Sequence, residues 1–141
     1  MAEPGAMTAE AKKFILGLAF LGQEAPKELW VGLSRRRTLS GDEPTLADFA
    51  RSEPPARLGY ARQRLEPSDW RITRVSERSF EAISRETAFI NPSDEPWPSV
   101  DLSFVATTQD GTGVLLGWSY LQTTRDVFRG DEVRLIERVR L

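Results

Sequence analysis

In the C-terminal third of the chain apolar and polar positions alternate. Val100, Leu102 and Phe104 are separated by Asp101 and Ser103, and Val133, Leu135, Val139 and Leu141 share one parity. Successive side chains of a strand point to opposite faces, so this pattern predicts strands with one buried side. Upstream lie short runs rich in β-branched and aromatic residues, bounded by Gly, Pro, Asn and Asp. Together they predict strands over 29–34, 60–65, 70–75, 80–83, 87–90, 100–107, 114–121, 126–128 and 132–141. Residues 109–113 and Arg129-Gly130-Asp131 read as hairpin turns, with Gly supplying a positive φ.

The N-terminal pattern has a different period. Thr8 is a plausible N-cap, residues 9–21 read as a helix with Glu10 near its positive end, and Gly22 stops it. Phe14, Ile15, Leu18 and Leu21 line one face, but Leu16, Ala19 and Phe20 make the other sides apolar as well. Such a helix must be covered on more than one side, either as a central core element or by another subunit. Residues 1–8 carry Pro4 and Gly5 without periodicity and read as a flexible arm. The polar stretch 35–57 reads as a long loop containing a short helix over 46–51, capped by Thr45 with Asp48 in the reciprocal position. The expected fold is mainly β: a compact antiparallel β-sandwich or barrel-like domain over 9–141 with one N-terminal helix.

At 141 residues, 40% hydrophobic and 28% charged, the chain can bury a core, and a net charge of -2 argues against a basic nucleic-acid binder. It contains no cysteine and no histidine, which removes disulfides, zinc fingers, thiol nucleophiles, Ser-His-Asp triads and His-ligated metals. The apolar run 14–21 is too short for a membrane span, which takes about 20 residues. Glu3 and Glu10 before it, and Gly22-Gln23-Glu24 after it, fit a signal peptide poorly, so the product is expected to stay in the cytoplasm where it is made.

Carboxylate chemistry survives this inventory. The adjacent acids Asp42/Glu43, Asp94/Glu95 and Asp131/Glu132 would point to opposite faces of a strand, and each lies in or beside a Gly- or Pro-containing turn. They read as turn formers, and none has the alternating oxygen spacing of an EF-hand loop. Arg35, Arg36 and Arg37 could grip phosphate, but Asp42, Glu43 and Asp48 offset them, so a solvated loop or a salt-bridged contact with a neighbouring subunit is the preferred reading. Trp30 and Trp118 sit inside apolar runs and read as core, while Trp97 between Pro96 and Pro98 reads as an anchor for a turn. No catalytic residue, metal or cofactor is expected.

The order of motifs resembles a family of small tailed-phage virion proteins, variously described as tail fibre, head fibre or capsid decoration. The resemblance rests on the helix at 11–21, Trp30-Val31-Gly32-Leu33-Ser34, a variable loop ending in Glu53-Pro54, and Gly59-Tyr60-Ala61-Arg62. It continues through Asn91 to Trp97, Gly111 to Leu121, and Arg125-Asp126-Val127 leading to Gly130-Asp131. Residues 66–90 match loosely, the 35–57 loop is lengthened, and Ile136-Glu137-Arg138 stands where the family usually has a Gly-containing segment.

The resemblance implies a capsid decoration (cement) protein on the outer surface of the virion, acting as a homotrimer that binds the major capsid protein and stabilises the shell. Phe14, Ile15, Leu18, Leu21, Arg35, Arg36 and Arg37 are then the candidate interface. Trp30, Gly32, Gly59, Tyr60, Arg62, Trp97, Gly130 and Asp131 are candidate structural residues of the motifs. Neither nucleic acid nor membrane is expected as a partner. The alternatives are a tail-fibre or tail-tip subunit, although no shaft repeat is visible, and a carbohydrate-binding module on the virion.

Overall fold

The computed structural model describes residues 4–35 and 44–141. The fold is mainly β, with antiparallel sheets packed in a sandwich-like arrangement that does not close into a barrel. The central sheet has the order β2-β1-β6-β7, built from β1 (Leu29–Ser34), β2 (Gln63–Leu65), β6 (Trp97–Ala106) and β7 (Leu115–Val127). A second sheet joins β3 (Trp70–Ser76), β4 (Ser79–Ser84) and β9 (Arg138–Arg140), and β5 (Thr87–Ile90) pairs with β8 (Glu132–Leu135).

The central sheet is covered on both faces. Leu102, Phe104, Ala106, Leu115 and Trp118 pack with Leu46 and Phe49 of the short helix α2 (Leu46–Ala50). Val31, Leu33 and Leu65 instead join Tyr60, Phe89, Trp97 and Val133 in the larger cluster. Apolar burial on two sides of one sheet explains why β1 shows a near-continuous apolar run rather than alternation.

Several expected boundaries move. The two strands expected at 114–121 and 126–128 are one, β7, which loops out between the pairs Leu102↔Tyr120 and Val100↔Arg125. The strand expected at 132–141 breaks at Ile136-Glu137 into β8 and β9, which belong to different sheets. Arg129 to Asp131 is a turn, with Gly130 at φ 82, but β8 pairs with β5, so it does not close a hairpin. The 107–114 turn does close one, yet neither Gly111 nor Gly113 has a positive φ. Gly113 is required for space: a Cβ there would lie 2.5 Å from the hydroxyls of both Thr107 and Thr108.

Residues 4–8, read from sequence as part of a flexible arm, are built into the fold. Gly5 N–H donates to the Trp118 carbonyl (2.7 Å) and Thr8 N–H to the Leu116 carbonyl, while Gly5 and Met7 exchange hydrogen bonds with Arg140. Ala6 bridges Arg140 in parallel, so the segment lies between β7 and β9 and links the two sheets. Thr8 then caps α1 (Ala9–Phe20), its hydroxyl accepting from Ala11 N–H and donating to the Leu115 carbonyl.

Candidate functional site

Two features stand out, an apolar helix end and a buried polar network. Of α1 only Ala11 and Gly17 are buried; Phe14, Ile15 and Leu18 are half-buried, and Leu16, Phe20 and Leu21 are 57%, 79% and 76% exposed. The helix is therefore no central core element, and Leu21 does not share the partial cover of Phe14, Ile15 and Leu18. Single exposed apolar residues are ordinary on a protein surface, but consecutive Phe20 and Leu21 at such exposure form a patch that water does not favour.

Arg35 follows β1 and lines an open groove with Arg51, Arg57, Pro54, Pro55 and Glu95. The other two candidate arginines, Arg36 and Arg37, lie outside the described residues, as does the Asp42/Glu43 doublet. Arg57 is paired with Glu95 at 3.2 Å, so part of the groove's charge is internally balanced.

The motif residues converge on the polar network. Tyr60 and Arg62 alternate inward, while Gly59 and Ala61 face solvent. The Tyr60 hydroxyl donates to Glu53 (2.5 Å) and accepts from Leu33 N–H (2.9 Å). Arg62 forms an ion pair with Glu53, donates to the Thr108 carbonyl (2.9 Å), and sits 5.0 Å from the centre of the Phe104 ring. Burial first, and then the Glu53 carboxylate, push the Tyr60 phenol well above its ordinary pKa. This network ties the end of the long loop, β1 and the β6–β7 turn together. Gly32 makes room for it, because a Cβ would fall 2.4 Å from Phe104 and 2.9 Å from the Tyr60 hydroxyl.

The remaining motif residues are structural too. Trp30, read from sequence as core like Trp118, is only half-buried in β1, whereas Trp118 is buried. Trp97 is buried, packs edge-on against Tyr60 and donates its indole N–H to the Leu58 carbonyl (3.0 Å) from the start of β6. Gly59, at φ 79, ends a 3-10 turn over Ala56–Leu58. Asp131 accepts from Phe128 N–H (2.9 Å), and Gly130 N–H donates to the Asn91 carbonyl (2.8 Å). Asn91 in turn donates to the carbonyls of Glu95 and Val127, pinning the 91–97 loop to the end of β7.

The described carboxylate doublets are spent on separate partners. Asp94 pairs with Arg129, Glu95 with Arg57, and Glu132 with Arg134. Among the described residues no cluster of three or more His, Cys, Asp or Glu could hold a metal ion, and no helix is long and apolar enough to cross a membrane.

One buried acid went unmarked by sequence. Glu137, in the β8–β9 connection, is 1% exposed, and neither of its oxygens has a hydrogen-bond partner. Burial pushes its pKa up to about 7, and the nearby Ser103 hydroxyl offsets only part of that effect. Glu53 was likewise passed over, as the mere end of a loop. No family model, curated protein or solved structure matches the chain.

Proposed function

We propose that the chain is a structural virion protein of a tailed bacteriophage, a capsid decoration protein that assembles as a homotrimer and binds the outer shell. The observation that carries this reading is the uncovered apolar end of α1, where consecutive Phe20 and Leu21 are about three-quarters exposed, more than any other large apolar side chain among the described residues. The polar residues that sequence motifs bring together act on the protein's own backbone, as a scaffold requires. The motif order set out above supplies the class of particle. Each bound trimer would bridge neighbouring capsid subunits, adding stability by mass action and by multivalent attachment.

The test is cosedimentation of the purified protein with expanded, undecorated shells and, separately, with tails. Saturable binding to shells, reduced at least tenfold in Phe20→Ser/Leu21→Gln, is the expected result. Binding to tails alone would replace decoration by a tail-fibre or tail-tip role, and binding to neither would sink the virion reading. A glycan platform has less support, because Trp97 and Trp118 are both buried in the core.

A further inference from the structure

We propose that protonation of Glu137 latches β9 against the central sheet and the N-terminal segment, and that loss of this proton opens β9 locally. The proposal is independent of the virion reading. Its basis is a buried carboxyl that forms no ion pair. Glu137 follows the inward parity of Val133 and precedes inward Val139, so its side chain is directed into the sandwich instead of solvent. Its main chain is held on the β4 side, with Ser84 N–H donating to the Glu137 carbonyl and Glu137 N–H to the Ser84 hydroxyl (both 2.9 Å).

The surroundings offer no counter-charge. β1 and β5 carry no ionisable side chain. Glu81 on β4 is paired with Arg138 of β9, Arg134 of β8 with Glu86 and Glu132, and the Arg125 guanidinium of β7 donates to the Glu132 carbonyl. Asp101 lies on β6, Tyr120 and Asp126 on β7, and Arg140 on β9, and burial, partly offset by Ser103 of β6, dominates the Glu137 carboxyl. An ionised carboxylate buried beside one hydroxyl and in no ion pair is disfavoured relative to a hydrated one, so ionisation favours any state that hydrates it.

The cheapest such state is local. Ile136 and Arg138, on either side of Glu137, are already exposed, so turning residues 136–138 outward brings the carboxylate to water. That movement breaks the three-residue pairing of β9 with β4 and withdraws Val139 from Gly117. It also removes Arg140, to which Gly5 and Met7 are bonded. The central sheet loses none of its own pairing, and sub-global openings of such peripheral elements are the expected low-energy excursions.

Native-state hydrogen exchange on the full chain, corrected for intrinsic rates at each pH, tests the latch. With a pKa of about 7 closed and an ordinary carboxyl open, the local opening constant should rise roughly 50- to 100-fold between pH 5 and pH 8. The amide of Met7, which donates to Arg140, and those of residues 138–141 should show it, while those of β1 and β6 should not. Glu137→Gln should abolish the pH dependence, and Glu137→Met serves as a second neutral variant should the amide disturb folding. Unchanged protection across this range would overturn the proposal. So would a pH response retained in both neutral variants, or one shared equally by β1 and β6.

Discussion

At the residue scale, the fold depends on two acids in opposite circumstances, Glu53 partly buried and Glu137 fully buried. Glu53 is matched: it accepts from Tyr60 and from the guanidinium of Arg62, whose side chain is 3% exposed. Removing one partner of such a pair leaves the other charge buried and unpaired. Glu53→Ala should therefore cost about 3–5 kcal/mol, read as a lowered urea midpoint at constant m-value. Glu137 is unmatched, and its effect runs the other way with pH. Its folded pKa, about 7, lies above the unfolded 4.5, so the stability associated with its neutral form is complete below 4.5 and is lost as pH rises towards 7. Glu137→Gln should match the wild type near pH 4.5 and exceed it by about 3 kcal/mol at pH 8 in chemical denaturation. Sequence made these two residues legible to different degrees. Tyr60 and Arg62 share a parity and stand out, but their partner is nine or fewer residues away across an irregular loop, where no periodicity points to Glu53. Glu137 was visible in principle, since it occupies the apolar parity of Val133, Leu135, Val139 and Leu141.

At the element scale, local chemistry placed the elements and tertiary packing decided their limits. Strands β1 and β3 to β6 fall within a few residues of where apolar pattern and turn residues predict them, as does α1 between Thr8 and Gly22. What the pattern could not contain is pairing. The outward loop in β7 and the transfer of the chain from β5's partner to β4's partner at Ile136-Glu137 arise from which strands meet in space. The glycines of the 107–114 turn make the same point. A turn rich in Gly suggests positive φ, yet Gly113 has an ordinary φ and is confined by two threonine hydroxyls. Gly113→Ala should accordingly destabilise by about 1–3 kcal/mol through crowding, against little change for Gly111→Ala, where the nearest atom to a Cβ is 3.4 Å away. Thermal melts of the two variants make the comparison directly.

At the scale of the whole molecule, folding and the proposed docking use different parts of the N-terminal region, and this decides how assembly must be probed. Residues 4–8 make hydrogen bonds to Leu115, Leu116, Trp118 and Arg140 and join two sheets, whereas Phe20 and Leu21 lie exposed at the far end of α1. Deleting residues 1–8 removes these five bonds, at about 1 kcal/mol each, together with the Thr8 cap, so a loss of about 6 kcal/mol is expected in equilibrium unfolding. A truncated chain that failed to bind shells would report damage to the β7–β9 seam as readily as a lost contact. Phe20→Ser/Leu21→Gln escapes that ambiguity, because exposed positions tolerate substitution within about 0.5 kcal/mol. Its melting temperature should match the wild type, while sedimentation velocity should show the proposed trimer shifted to monomer if the helix end joins subunits. A trimer that persists while shell binding is lost would instead place the helix end against the capsid. The same pair of measurements thus separates self-association from attachment, which the isolated subunit's exposed apolar surface alone leaves joined.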